Sequence, residues 1–143
     1  MLSDPSVQPG HGPAIITTSE GTGRLRVVGT AQATGDGVVI TLTGGDHPHV
    51  GAVGVGIPRH SLRDPRTLSA SSSVLTITGH KDDELAKPMA ELIARRLGQV
   101  AVVAVGLHVD QATPEEIAIV SEHARQATMH LLSRLLAGGA GNP

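Results

Sequence analysis

Short runs of apolar residues along the first half of the chain predict strands. Runs at 24–30 and 38–43 flank a Gly-containing turn at 34–37, which predicts an antiparallel hairpin. In the next run, Val50–Ile57, Val or Ile alternates with Gly or Ala. Glycine inside a strand is typical of a place where another backbone or a ligand comes close. We expect this strand to stop at Pro58.

The second half of the chain has the pattern of a strand, a helix, a strand and a helix. A polar stretch, Arg59–Ser73, predicts a long loop, and a strand at 74–78 follows it. Apolar residues at 85–97 keep a period of 3.6 residues and predict a helix, in which Pro88 kinks the axis or marks the start of the regular part. The continuous apolar run Val100–Val109 predicts a buried central strand.

The last helix has the clearest boundaries. Thr113-Pro114-Glu115-Glu116 combines a threonine cap, proline at the first helical position and glutamate three residues after the cap, and Gly138-Gly139 ends the helix. This order of elements predicts one α+β domain, with a mainly antiparallel sheet and two helices on one face of it. We place the domain at residues 14–137 and expect the polar tails, 1–13 and 138–143, to be flexible.

Composition removes several classes of function. The 143 residues suit one domain and carry a net charge of -2 with eight histidines counted as neutral. The chain has no Phe, Tyr or Trp, so it offers nucleic acid neither a basic surface nor a stacking platform. It has no cysteine, no recognisable signal peptide and no apolar run long enough to span a membrane. We expect a cytoplasmic protein that binds neither nucleic acid nor membrane.

The residues that can bind, ligate or move protons are concentrated in three segments, each at an end of a predicted strand. These segments are Asp46-His47-Pro48-His49, Gly79-His80-Lys81-Asp82-Asp83 and Leu107-His108-Val109-Asp110. Because rigid elements hold the ends of strands in place, functional side chains are often found there. The leading hypothesis is one site assembled from the three segments.

Each segment leaves alternatives open when it is considered alone. Residues 79–83 can hold a phosphate at a helix N terminus beside Lys81, but the two aspartates can equally neutralise that helix end. Four residues have the types and spacing of a zinc or iron set: His47, His49, His108 and Asp110. The alternative is that these residues are structural. His47-Pro48-His49 would then form a turn before a strand, and His108 would be a hydrogen-bonded histidine at the edge of the sheet. Nucleophile-elbow, Walker and His-Glu-x-x-His motifs are absent from the sequence.

Three longer blocks together resemble the prenylated-flavin chaperone family, which includes the small D-type accessory subunit found beside gallate decarboxylase. The blocks are Gly45-Asp46-His47-Pro48-His49-Val50-Gly51-Ala52-Val53, Thr78-Gly79-His80-Lys81-Asp82-Asp83-Glu84-Leu85-Ala86-Lys87-Pro88 and Gly106-Leu107-His108-Val109-Asp110. The resemblance covers the chain from about Leu25 to Leu135.

The resemblance implies a non-enzymatic chaperone that binds reduced prenylated FMN and delivers it to an apo decarboxylase of the UbiD type. It also implies a homodimer with a fold similar to that of the proteasome assembly chaperones. Alternatives from other classes are a metal-dependent enzyme that uses the four-residue set above, and a pure protein-assembly chaperone whose polar blocks are structural.

Because the chain has no aromatic side chain to stack on the flavin, we expect Gly-rich backbone, aliphatic side chains or histidine to contact the ring. Lys81 and Arg59 are the phosphate candidates, His49, His80 and His108 are placed near the ring, and no resident metal is expected. The full expected cofactor-binding set is His47, His49, Gly51, Arg59, Gly79, His80, Lys81, His108 and Asp110. A core without aromatics, and small residues at Ala124 and Ala127 of the last helix, predict burial of that helix against a second subunit.

Overall fold

The computed structural model describes residues 15–77 and 81–138. Within these residues the chain forms six strands and two α-helices, and one 3-10 turn, Gly23–Leu25, precedes the second strand. The strands are β1 (Ile15–Glu20), β2 (Val27–Ala33), β3 (Gly37–Gly45), β4 (Ala52–His60), β5 (Leu68–Thr76) and β6 (Val100–His108). The helices are α1 (Asp83–Leu97) and α2 (Pro114–Ala137).

The six strands form one sheet with the order β1-β2-β3-β6-β4-β5. Neighbouring strands are antiparallel except for β3 and β6, which are parallel. Gly45 pairs with His108, and Ala52 pairs with Val105. The carboxyl ends of β3 and β6 therefore meet the amino end of β4 at one end of the sheet, which we call the site end.

Both helices pack on the same face of the sheet. α1 lies against β4, β5 and β6, and α2 lies mainly against β1 and β2. The core between them is aliphatic, and its largest fully buried hydrophobic side chains are Ile40, Leu42, Ile93, Leu131, Leu132, Val27, Val103 and Val105. The predicted α+β arrangement with two helices on one face is confirmed. Neither helix is long and apolar enough to cross a membrane.

Glycines in β4 allow α1 to pack very closely on the sheet. A Cβ built on Gly54 would overlap the carbonyl oxygen of Ala86, and one built on Gly56 would overlap that of Ala90. The expectation that glycine in this strand marks the approach of another backbone is confirmed. The core has no aromatic residues to fill a wide gap between helix and sheet. It is closely packed because α1 lies directly on β4.

Two expectations about the middle of the chain are wrong. β4 does not stop at Pro58, because beyond Gly56 it pairs only with β5, and the missing proline N–H therefore costs no hydrogen bond to β6. The serine-rich end of the expected loop is strand β5, so the connection is only residues 61–67. Pairing with β4 and packing under α1 outweigh the weak strand preference of serine.

The other elements agree with the sequence pattern, apart from β1, which the pattern did not reveal. The hairpin of β2 and β3, the long helix α2 and the central strand β6 are confirmed. Gly98 ends α1 with φ +65, and Pro88 lies inside the helix rather than at its start. The tails expected at 1–13 and after Gly138 fall outside the described residues.

The two small residues of the last helix are not available for the expected contact with a second subunit. Ala124 and Ala127 are 0 % exposed because α2 buries them within its own chain. The uncovered surface is instead the sheet face opposite the helices, where apolar side chains of the central strands are only partly covered. This surface, called the open face below, has at its centre Val39, Val53, Val55, Ile57, Val102 and Ala104.

The capping box of α2 predicts a measurable contribution to stability. Glu116 N–H donates to Thr113 Oγ1 at 3.1 Å, and Thr113 N–H donates to the Glu116 carboxylate at 3.0 Å. We expect Thr113→Ala to lower the free energy of unfolding by about 1 kcal/mol, because it leaves a helix N–H without its acceptor. Urea denaturation measures this change, with Ser133→Ala, exposed on the same helix, as the control. Equal losses in the two variants would contradict the prediction.

Candidate functional site

The segment 46–51 folds over the end of β6. Gly45, with φ +84, turns the chain after β3. Asp46 N–H and His47 N–H then both donate to the His108 carbonyl, at 2.7 and 3.3 Å, and Gly51 N–H donates to the Val105 carbonyl at 2.8 Å. Backbone hydrogen bonds therefore hold this segment at the site end of the sheet.

Three glycines make this close packing possible. A Cβ on Gly106 would overlap the His49 carbonyl, and a Cβ on Gly45 would overlap the His108 carbonyl. A Cβ on Gly51 would overlap the carboxylate of Asp82. Gly51 therefore makes room for a charged side chain at the centre of the site.

Asp82 is a buried carboxylate that connects three parts of the chain. Its side chain is 7% exposed and its Oδ2 lies 3.2 Å from His49 Nε2. Its Oδ1 accepts a hydrogen bond from Leu107 N–H at 3.1 Å. Asp82 precedes α1 but makes no side-chain cap to it. Its carboxylate thus fixes the start of α1 to β6 and to His49, which the capping interpretation of this segment did not foresee.

His47, His108 and Asp110 form a second group, the histidine cluster. Asp110 receives His47 Nε2 on one carboxylate oxygen at 2.9 Å and His108 Nε2 on the other at 3.0 Å. The two rings are 5.5 Å apart between centroids. Hydrogen bonds from His47 and then His108 hold the pKa of Asp110 below its ordinary value. An imidazole that donates through one ring nitrogen can accept a hydrogen bond through the other.

Arg24 clamps the loops behind this cluster. Its Nε and Nη2 donate to the Glu116 carboxylate at 3.2 and 2.8 Å, and Nη2 also donates to the Asp110 carbonyl at 3.1 Å. Its Nη1 lies 3.4 Å from Asp46, whose carboxylate accepts Asp110 N–H at 2.8 Å. The hydrogen bond with Glu116 raises the pKa of Arg24, and the same bond is the main cause of the lowered pKa of Glu116.

A cavity of about 270 Å³ opens between α1 and α2 at the site end. Its apolar lining consists of Leu85, Leu107, Val109, Ala112, Ile117 and Val120. Its polar lining consists of Lys81, Asp82, Glu84, His108, Ser121 and Arg125. Lys81, just before α1, and Arg125, on α2, bring positive charge to the cavity. His108 belongs to both the cavity and the histidine cluster. The arrangement can therefore bind a ligand that has an apolar body and an anionic group.

The structure brings together most of the residues expected from the sequence. His47, His49, Gly51, His108 and Asp110 meet at the site end, and Lys81 lines the cavity beside them. Gly79 and His80 lie outside the described residues.

Arg59 does not reach this group within one chain. It lies near the other end of β4, seven residues from Ala52 or about 23 Å along an extended strand, and its Nε donates to Ser71 Oγ at 2.9 Å.

Sequence reasoning missed Arg24 and Arg125 as members of the site. Arg24 meets Glu116 across 92 residues of sequence, and no local pattern marks such a contact. Arg125 lies on an ordinary charged face of α2, so only the position of the cavity distinguishes it.

The four residues of the alternative metal set do not point at a common centre. His47 and His108 direct Nε2 at Asp110, whereas His49 Nε2 faces Asp82. Among residues 15–77 and 81–138, no group of three or more His, Cys, Asp or Glu side chains could hold a metal ion. The described part of the chain therefore gives the metal-enzyme alternative no support.

We expect Gly106→Ala to disrupt the site through the backbone. The new methyl group would overlap the His49 carbonyl, and the segment 46–51 cannot move away without losing its backbone hydrogen bonds to β6. The expected loss in the free energy of unfolding is at least about 2 kcal/mol, as for overpacking that displaces backbone. Thermal or urea denaturation measures it. Gly35→Ala is the matched control, because a Cβ there meets nothing within 4 Å. Similar stability of the two variants would contradict this account.

The histidine cluster predicts an acid-dependent contribution to stability. Because the folded-state pKa of Asp110 is lowered, its contribution is present above the ordinary aspartate pKa of about 3.9 and is lost as pH falls through the lower folded value. We expect Asp110→Asn to be less stable than the wild type at pH 5, and this difference to shrink below pH 4. Urea denaturation across this range measures it. A difference that stays constant with pH would argue against the role of Asp110.

Comparisons with known protein sequences find relatives of this chain. The family model for the prenylated flavin chaperone LpdD-like domain matches residues 21–136. Protein LpdD of Lactiplantibacillus plantarum is 28% identical over 131 residues, which cover 87% of this chain and 86% of that protein.

A solved chaperone complex for yeast 20S proteasome assembly contains a similar fold. The TM-score is 0.53 at 14% sequence identity, over 84% of this chain and 96% of that one. At this identity the likeness concerns the fold alone, and it confirms the expected resemblance to the proteasome assembly chaperones. The family model spans nearly all of the described domain, and of the strands and helices only β1 lies outside it. The chain belongs to the prenylated flavin chaperone LpdD-like family.

Proposed function

We propose that this protein binds reduced prenylated FMN and delivers it to an apo decarboxylase of the UbiD type. The observation that carries the proposal is a cavity with apolar walls and two cations that shares His108 with the histidine cluster, in a member of a prenylated-flavin chaperone family. Such a cavity offers suitable contacts to both the phosphate and the ring system of this cargo. The phosphate needs cations, and the prenylated ring needs apolar contact and hydrogen bonds.

Lys81 and Arg125 are the proposed phosphate ligands. A phosphate is bound best by charge-assisted hydrogen bonds, and the guanidinium of arginine can give two at once. Both side chains line the cavity, while Lys87, further along α1, does not. His80 remains a proposed ring contact from the sequence.

The apolar wall and the histidines are proposed to hold the ring system. Leu85, Leu107 and Val120 provide aliphatic contact in place of stacking. The volume of about 270 Å³ is slightly below the ~300–1,000 Å³ typical of small-molecule sites, so one chain would enclose only part of an FMN-sized ligand. The ring would then extend past His108 towards His47, where Asp110 fixes both imidazoles.

Delivery requires that the cargo can leave towards a partner. Ile117 lines the cavity and is nevertheless 54% exposed, so apolar surface surrounds an opening to solvent. An apolar surface beside a ligand site suits docking of another protein. We propose that the decarboxylase contacts this side of the molecule, whereas the homodimer forms through the open face of the sheet.

The proposal predicts that both cavity cations contribute to affinity. In an anaerobic titration followed by absorbance, Lys81→Ala and Arg125→Ala should each weaken binding of reduced prenylated FMN by roughly 1.5–3 kcal/mol, the range for a hydrogen bond to a charged group. Lys87→Ala, which removes an exposed lysine outside this cavity, is the control and should bind normally. The same variants should slow activation of an apo decarboxylase mixed with loaded protein.

Two outcomes would count against this function. Equal affinity of the wild type for the prenylated flavin with and without its phosphate would remove the phosphate site. Absence of any binding by folded protein, together with normal activation of a decarboxylase, would favour the pure assembly chaperone instead.

A further inference from the structure

One edge strand of the sheet lacks the usual protection against pairing with another chain. β5 is hydrogen-bonded only to β4, and the register of the pair runs without a bulge from Leu68 to Thr76. All nine residues of β5 are uncharged, and none is proline. Exposed edges normally carry a charge, a proline or a bulge, because a row of unpaired N–H and C=O groups can bind a further strand. β5 has none of the three.

The other edge strand, β1, is treated differently. Arg134 on α2 reaches over β1 and donates from Nη1 to the Thr17 carbonyl at 2.9 Å. Within the described residues, the hydrogen bonds of β5 side chains involve the hydroxyl groups of Ser71 and Ser72 and not the strand's backbone. The outer edge of β5 is therefore the part of the sheet best suited to accept another strand.

The hydrogen bonds at the two ends of the β4–β5 pair show which backbone groups point outward. Ser61 N–H donates to the Thr67 carbonyl and Ile77 N–H donates to the Gly51 carbonyl, both at 2.8 Å. Since bonded residues recur at every second position of an antiparallel strand, the odd-numbered residues from 67 to 77 bond to β4. The even-numbered residues direct their N–H and C=O groups to the outer edge. They are Leu68, Ala70, Ser72, Val74 and Thr76.

Helix α1 runs along β5 in step with it. Ser72 Oγ donates to the Glu91 carboxylate at 2.9 Å, and a Cβ built on Gly98 at the end of α1 would lie 3.6 Å from Leu68, so helix and strand run in opposite directions. Four helix residues advance about 6 Å and two strand residues advance about 6.7 Å. The residues brought level by this step are Lys87 with Val74, Glu91 with Ser72 and Arg95 with Ala70.

The flank of α1 at this edge is a groove with two cations. The groove has a volume of about 390 Å³ and is lined by Lys87, Pro88, Glu91, Leu92 and Arg95. Lys87 and Arg95 are exposed, and within the described residues neither forms an ion pair. The carboxylate of Glu91 lies between them and accepts the hydroxyl of Ser72. The groove therefore has a net positive charge beside an open strand edge.

The other side of the same edge is apolar towards the site end. Leu75 is 78% exposed and Ile77 is 52% exposed. Leu75 pairs with Val53, so it lies on the open face of the sheet, and Ile77 follows two residues later on the same side. Apolar side chains at alternate positions of an edge strand stabilise a further strand by packing against its side chains.

We infer that β5 accepts an extended acidic segment of another protein as an additional strand of the sheet. Strand addition gains affinity from backbone hydrogen bonds and specificity from alternate side chains. On the helix side, the segment has carboxylates opposite Val74 and Ala70, four residues apart, and an uncharged residue opposite Ser72. On the open side it has apolar residues, one of them against Leu75. This surface lies outside the flavin cavity, and the inference does not depend on flavin binding.

Charge distinguishes this occupant from a second copy of the chain. If two copies joined through β5, a two-fold axis would bring Lys87 and Arg95 of both chains to the same seam. Like charges brought together there oppose association, whereas carboxylates at the matching spacing give each cation a partner. The seam therefore favours an acidic segment from a different protein.

A short peptide tests the inference. The sequence Val-Glu-Val-Thr-Val-Glu-Val reads the same in both directions, so it presents the required pattern in parallel or antiparallel addition. In fluorescence anisotropy, the fluorescein-labelled peptide should bind the wild type at least about tenfold more tightly than Val-Lys-Val-Thr-Val-Lys-Val. The double variant Lys87→Glu, Arg95→Glu should reverse this preference. Arg96→Glu, exposed on α1 but outside the groove, is the matched control and should bind as the wild type does.

Hydrogen exchange measured by NMR shows where the peptide binds. The acidic peptide should slow the exchange of the outward amides of β5, whereas the amides of Ser71 and Ser73, which face β4, should change little. The outward amides to follow are Ala70, Ser72, Val74 and Thr76.

Three results would overturn the inference. The first is no binding at millimolar peptide, or equal affinity for the two peptides. The second is binding that leaves the outward amides unprotected. The third is outward amides that are already protected in the free protein and lose protection on dilution, because a second copy would then occupy the edge. No measurement uses flavin, so a failed flavin titration would leave these results unchanged.

Discussion

The buried carboxylate of Asp82 is the contact on which the candidate site depends. A charge out of water is tolerated only when it is well paired, and Asp82 has the Leu107 N–H on one oxygen and the His49 ring beside the other. These partners belong to β6 and to the segment after β3. One side chain thereby sets where α1 begins, where His49 stands and how the wall of the cavity is formed. Gly51 makes the arrangement possible, because any larger residue would occupy the position of the carboxylate.

The lack of aromatic residues affects both faces of the sheet. On the helix side, Gly54 and Gly56 let α1 settle directly on β4. On the open side, Ile57 and the valines of the central strands leave apolar surface exposed or only partly covered.

The sequence predicted features that depend on residues close together in the chain better than features that depend on contacts between distant segments. The capping box of α2 and the hairpin turn before β3 are local, and both are present. The position of β5 was missed because the strand depends on β4 and α1, not on the preference of its own serines. At the site, the strand ends correctly indicated that His47, His49, His108 and Asp110 would meet. The clamp of Arg24 with Glu116 and the cavity position of Arg125 come only from the packing of distant segments.

Under the proposed function, in which the cavity holds a phosphate-bearing cargo, the charges around the site suit transfer of that cargo better than permanent retention. Glu116 and Asp46 already engage Arg24, so its charge is used in holding the loops. Lys81 and Arg125 face the cavity, but Glu84 lines the same space and Glu122 lies 3.8 Å from Arg125. A phosphate that enters must compete with these carboxylates for the cations, which lowers its net gain from each contact. When it leaves, the same carboxylates can neutralise the vacated cations, so release does not leave unpaired charge behind. A carrier that hands its ligand to another protein needs this property, because a site with uncompensated cations would hold a phosphate too firmly to give it up.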